Sequence, residues 1–147
     1  MTIEELKLKG INTIEGVYDY LQELPMNKRG VNEFIPNNLS KLLAAIAQRN
    51  NPESCIILNS NLGEILFNCT DIEEKVGIDI NAQNVELAKY LNPNLKFKNI
   101  DPLSYSSKTR YDSVICFPPL GHRIQVNGRN ILSEQLYLNK SLELLKE

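Results

Sequence analysis

"YDSVICFPPLGHR", residues 111–123, decides how this chain is read. Ser113 to Phe117 is almost continuously apolar, as a strand buried on both faces of a parallel sheet is. Pro118 and Pro119 stop the strand, and Gly121 with two basic residues follows. A strand running into Pro-Pro and Gly reads as a loop at a strand's carboxyl end, where open α/β sheets bind their ligands. Yet Phe117, Pro118, Pro119 and Leu120 carry no side chain that ionises or hydrogen-bonds.

Working outward, two more short runs resemble this strand, "CIIL" (55–58) and "KVGIDI" (75–80), and "LKFKNI" (95–100) alternates. Between them Leu87, Ala88 and Leu91 sit at helical spacing, and Asn92-Pro93 ends that helix. Ser133 opens a last helix with Leu138, Leu142 and Leu145 on one face. The alternation predicts an α/β fold, a mostly parallel Rossmann-like sheet of about four strands. Upstream, Thr2 and Glu5 form a capping-box pattern. Ile14, Val17, Tyr18, Leu21 and Leu24 make a second helical stripe. "VNEFIP" reads as an extended linker, because the residue before a proline avoids the helical region. Asn37 or Asn38 is expected to cap a third helix with Leu39, Leu42, Leu43 and Ile46 on one face. Residues 1–36 are thus read as a helical segment with linker, and 37–147 as the α/β domain.

The 147 residues suit one domain, with 42% hydrophobic and 23% charged residues. A net charge of -2 gives no global attraction to nucleic acid, so any such surface is local. No apolar run approaches the ~20 residues of a membrane span. Cys55, Cys69 and Cys116 are scattered and odd in number, which fits reduced thiols in a cytoplasmic protein and no metal set.

The strand ends hold the candidate site residues. They are Asn59 to Gly63 after the first strand, Asp79 and Ile80 after the second, Asp101 after the third, and Phe117 to Leu120 after the fourth. An acidic residue at the tip of the second strand can accept hydrogen bonds from ribose hydroxyls. A surface aspartate is the plainer reading of Asp79, and ordinary Asp-Pro turn chemistry that of Asp101.

The order of these pieces resembles the N6-adenine DNA methyltransferase family, most closely the modification subunits of type I restriction systems. "EFIPNNLSKLLAAI" is similar to the segment and helix that border the cofactor, with Phe34 and Pro36 at its entrance. "ILNSNLGEILF" stands where the family has its glycine-rich cofactor loop. "VGIDINAQNVELAKYL" resembles the acidic second-strand motif, and "KNIDPL" a third cofactor segment. "YDSVICFPPLGHR" lies over the family's "NPPF" catalytic loop. The resemblance implies S-adenosylmethionine as cofactor, with Phe34, Pro36, Asn59, Gly63, Asp79, Ile80 and Asp101 at the binding positions. It also implies DNA and restriction-modification subunits as partners.

The departures set the functional expectation. Phe117 replaces the residue that holds the adenine amino group, and Leu120 replaces the aromatic that stacks on the flipped base. Asn59 replaces an acid. Ile65 and Leu66 replace glycines and are expected to obstruct the cofactor. The favoured reading is a catalytically inactive methyltransferase-like domain acting as a structural or binding module. The alternatives are the N-terminal part of an active S-adenosylmethionine-dependent adenine methyltransferase, and another small-molecule enzyme on the same sheet. Lys108, Arg110, His122, Arg123 and Arg129 are close in sequence and read either as a phosphate-contacting rim or as a solvated loop. In the family's topology a fifth strand pairs beside the fourth. The chain ends before supplying one, so it reads as a fragment or a shortened relative, and a homodimer joined near strand four is expected.

Overall fold

A computed structural model describes residues 1–25 and 35–147. Among these residues, six helices and six strands follow in the order α1 (Ile3–Leu8), α2 (Ile14–Glu23), α3 (Asn37–Ala47), β1 (Ser54–Leu58), α4 (Glu64–Asn68), β2 (Glu74–Asp79), α5 (Ala82–Leu91), β3 (Lys96–Asn99), β4 (Ser113–Cys116), β5 (Arg123–Val126), β6 (Arg129–Leu132) and α6 (Ser133–Leu144). The main sheet has the order β3-β2-β1-β4 and every pair in it is parallel. This is the α/β sheet that the apolar runs predict.

β1 is buried along its whole length because both faces of the sheet are covered. Its alternate residues feed two cores. Cys55 and Ile57 join Ala44, Ala47, Ile65 and Leu66 from α3 and α4. Ile56 and Leu58 join Val76, Ile78, Tyr137 and Leu144 on the other face. Each fully buried Ile, Leu or Val among them stabilises the fold by about 1.5–3 kcal/mol, and the alanines by less. A third cluster joins Leu6, Ile14 and Val17 of α1 and α2 to Leu62, Leu87 and Leu91. The N-terminal helices therefore share a core with the loop after β1 and with α5. The predicted capping box forms: Glu5 N–H donates to Thr2 Oγ1 at 3.2 Å and Thr2 N–H to Glu5 Oε2 at 2.7 Å.

Two helix faces differ from the sequence reading. In α3, Leu39, Leu42 and Ile46 are 40%, 56% and 59% exposed, while Ser40, Ala44 and Ala47 are buried. Small residues let α3 approach α4 closely, and the Ser40 hydroxyl donates to the Glu64 carbonyl at 3.3 Å. Close approach outweighs side-chain size in choosing the inner face. In α6, Leu138 and Leu142 are 57% and 61% exposed, and Ser133, Tyr137 and Leu144 face the core. Leu145 lies beyond the helix, in a parallel bridge with Tyr111. Pro36, not Asn37 or Asn38, is the N-cap of α3, with no side-chain cap.

The amino end of β4 is clasped to β1 through Asp112. Ser54 donates to Asp112 Oδ2 from its N–H at 2.9 Å and from its hydroxyl at 2.7 Å, and Lys146 Nζ lies 2.7 Å from Oδ1. Lys146 first, then Ser54, holds the Asp112 carboxyl down at about 2. A depressed carboxylate contributes stability above its unfolded value near ~4 and loses it as pH falls through the folded value. Asp112→Asn is therefore expected to lower the urea midpoint at pH 7. The gap from wild type should narrow steadily as pH falls from 4 towards 2, as read by urea unfolding at several pH values.

Candidate functional site

The loop after β1 is wound tightly by Asn59, Asn61 and Gly63, with φ of 59°, 47° and 85°. Asparagine and glycine are the residues that enter the left-handed region at least cost. At Gly63 the substitution is also blocked in space: a Cβ there would lie 2.5 Å from Phe97 Cζ. Phe97 on β3 thus fills the open side of the glycine. Gly77 on β2 makes room in the same way, for Ser60 at 2.7 Å and Phe97 at 2.8 Å.

Asp79 at the end of β2 is 3% exposed. Its Oδ2 accepts the Asn61 N–H at 2.9 Å and its Oδ1 the Asn81 N–H at 2.8 Å. The carboxylate pins the β1 loop and the entry to α5. Beside it, Ile80 is 63% exposed. Asp101 accepts the Leu103 N–H at 3.0 Å, the turn chemistry of the plainer sequence reading. Ile65 and Leu66 are helical and buried in the core under the loop, so they do not obstruct it. That expectation is corrected: the chain has turned into α4 before it reaches them. Pro36 is exposed at the start of α3, and Phe34 lies outside the described residues.

The "FPPL" segment is held from three sides. Asn59 Nδ2 donates to the Phe117 carbonyl at 2.6 Å, and the Tyr137 hydroxyl donates to Asn59 Oδ1 at 3.1 Å. Burial raises the Tyr137 phenol above its ordinary value, so it remains a donor. The Ser133 hydroxyl donates to the Pro119 carbonyl, and Gly121 N–H donates to Glu134 Oε1 at 2.7 Å. The Phe117 ring packs against the core that contains Ile35, Ile65 and Leu66. Leu120 is 77% exposed at the tip.

The antiparallel ribbon β5–β6 follows at once, and the sequence reading missed it. Its signal was present. "VNGR" carries Asn127-Gly128, with φ of 49° and 77°, the residues of a two-residue hairpin turn. Ile124, Val126 and Ile131 are half-buried, while Arg123, Gln125 and Asn130 are exposed. The basic cluster is also divided. His122, Arg123 and Arg129 stand past the carboxyl end of β4, whereas Lys108 and Arg110 precede its amino end. Arg110 lies 3.8 Å from Glu147 there.

Among the described residues, no group of His, Cys, Asp or Glu is placed to hold a metal, and no helix is long and apolar enough to cross a membrane.

No family model matches the chain, and no curated protein matches it. Solved structures do. A putative RNA methyltransferase from Pyrococcus horikoshii aligns with a TM-score of 0.64 at 19% identity, over 90% of this chain and 70% of that one. The type I restriction-modification methyltransferase subunit from Streptococcus thermophilus aligns with a TM-score of 0.63 at 16% identity, over 78% and 32%. An amino pentose methyltransferase from Micromonospora echinaspora, with S-adenosylmethionine bound, aligns with a TM-score of 0.63 at 10% identity, over 91% and 52%.

The fold is that of the class I methyltransferases. The chain spans about half or less of the last two proteins.

On a methyltransferase fold the loop after β1 and the end of β2 are where S-adenosylmethionine is expected. The residues present do not fit it. Gly63 faces Phe97 in close contact, and both Asp79 oxygens accept backbone N–H groups from a nearly inaccessible position.

Among the described residues, Glu64 is the one acid buried completely, at 0% exposure. Oε1 accepts the Ile35 N–H at 3.2 Å, and Oε2 has no partner among the described residues. Burial pushes its carboxyl up to about 7, and nearby Asp79 adds to the rise. A carboxyl raised on folding binds its proton more tightly in the native state, so stability falls as pH rises from about 4.5 to about 7. Glu64→Gln removes this penalty. The variant is expected to gain on the order of 3 kcal/mol over wild type between pH 5 and pH 8, measured as the change in their stability difference by urea unfolding.

Proposed function

We propose that this chain is a domain related to restriction-modification adenine methyltransferases that has lost methyl transfer and serves as a structural or binding module. One observation carries the reading. At the position where an adenine amino group would be held, Phe117 sends its ring into the core and gives its carbonyl to Asn59. In-line methyl transfer needs an acceptor on the amino group and a face against the extruded base. Phe117 offers no side-chain acceptor, and Leu120 offers no aromatic face. The prolines remain because the turn is structural: it returns the chain from β4 to the start of α6 through the Ser133–Pro119 bond.

For the binding role, the supporting feature is the ribbon. No acidic residue occurs between Asp112 and Glu134, so Arg123 and Arg129 stand without a counter-charge in their own segment. DNA phosphate is the partner this charge fits, with restriction-modification subunits as the assembly. A second reading, the N-terminal part of an active S-adenosylmethionine-dependent adenine methyltransferase, is favoured by the chain covering only 32% of the Streptococcus thermophilus subunit.

Transfer of radiolabelled methyl from S-adenosylmethionine to mixed-sequence DNA separates the two. The expected result is incorporation no higher than a heat-killed control. Phe117→Asn with Leu120→Phe is expected to stay at that level, because the loop after β1 does not fit the cofactor either. Incorporation by the wild-type chain overturns the proposal.

A further inference from the structure

We propose that the outer face of the β5–β6 ribbon reads base edges in the major groove of duplex DNA, with Arg123, Gln125 and Asn130 as the reading side chains. The inference rests on DNA being the partner, as proposed above, and adds which groups of the DNA are recognised and by what. The register of the ribbon puts these three side chains together. Arg123 pairs with Leu132, and Gln125 with Asn130. Residues directly opposite share a face, and so do residues two apart along a strand. Arg123, Gln125, Asn130 and Leu132 therefore form one face, and all four are exposed. Ile124, Val126 and Ile131 lie on the other face and are half-buried.

The ribbon is held at its foot and clear at its tip. Ser133 N–H donates to the His122 carbonyl at 2.9 Å, which closes the two strands where α6 begins. Gly121 N–H donates to Glu134 Oε1 at 2.7 Å just before them. At the turn, a Cβ added to Gly128 would meet no described atom within 4 Å beyond its two neighbours in the chain. On the outer face, Arg123 Nη1 donates to the Asn130 carbonyl at 3.5 Å, so the guanidinium reaches across to the second strand. The Asn130 bond uses the backbone carbonyl and leaves its amide to other partners.

The chemistry of this face selects its ligand. Arginine donates bidentately to guanine O6 and N7, and asparagine and glutamine pair bidentately with adenine N6 and N7. The face carries no acid to repel a polyanion. Two strands about 4.7–4.9 Å apart fit a major groove about 12 Å wide. The deep, narrow major groove of duplex RNA does not admit them. Gln125 and Asn130 stand opposite each other, with Cβ atoms about 4.5–5.5 Å apart, and so reach neighbouring base pairs. Arg123 stands about 7 Å further along its strand, about two base-pair steps, so the three side chains cover about three to four base pairs. Arg123 is thereby assigned to a base. Arg129 is opposite Val126 on the other face, exposed beside the turn, and is left for phosphate at the groove's rim.

The test is selection of bound duplexes from a pool of random-sequence DNA by the 147-residue chain, followed by sequencing. The expected result is a motif of about three to four base pairs containing adenine and guanine, each preferred about tenfold over other bases. Gln125→Ala with Asn130→Ala changes exposed side chains only. It is expected to bind the unselected pool within about twofold of wild type and to lose the adenine preference. Arg123→Ala is expected to lose the guanine preference. Arg129→Ala is expected to weaken binding to every sequence alike and to lower the salt dependence of log K by about one. DNA binding with no motif enriched overturns the inference and leaves DNA binding itself standing. A motif unchanged in the Gln125 and Asn130 variant overturns it too, as does equal binding of the motif as duplex RNA. No DNA binding at all overturns both the inference and the binding role on which it rests.

Discussion

The amide of Asn59 joins three parts of the molecule. It donates to the Phe117 carbonyl at the end of β4 and accepts from the Tyr137 hydroxyl on α6, while its own backbone opens the loop after β1. A side chain with both a donor and an acceptor is needed for this, and a carboxylate would supply only acceptors. From that point the rest follows. The β1 loop is fixed, so Asp79 can cap it from β2 and Phe97 can close over Gly63. The "FPPL" turn is fixed, so its ring goes to the core and its chain returns into α6. The polar groups at these strand ends are hydrogen-bonded to the neighbouring loops.

Burial sorts the side chains at this end of the sheet. Asp79 at 3% exposure and Glu64 at 0% are acids that the fold keeps for itself. The apolar groups show the opposite pattern, since Ile80, Leu120 and the outer leucines of α3 and α6 are left towards solvent.

The strands were legible because β1, β2 and β4 are continuous apolar runs, which the structure explains by helices or loops on both faces of the sheet. The inner faces of α2 and α5 were legible too, but those of α3 and α6 were not. In α3 the periodicity of Leu39, Leu42 and Ile46 is genuine, but Ser40, Ala44 and Ala47 allow the closer contact with α4 and take the inner face. Asn127-Gly128 announced the ribbon, yet the short flanking runs were absorbed into the loop after β4. Ile65 was read as an obstruction by its place in a motif, and the helical turn at Glu64 carries its side chain into the core. Which acids are buried was not visible in the sequence at all, because it depends on Ile35 reaching Glu64 and Asn61 reaching Asp79 from other segments.

Asn59→Asp tests the central claim most directly, since it restores the acid of the resembled family while leaving shape unchanged. Urea unfolding at pH 7 is the measurement. An aspartate would set two acceptors against each other at the 2.6 Å contact with the Phe117 carbonyl. A loss of about 1–3 kcal/mol is predicted. A variant as stable as wild type would contradict the account, because the amide would then not be what holds the two loops together.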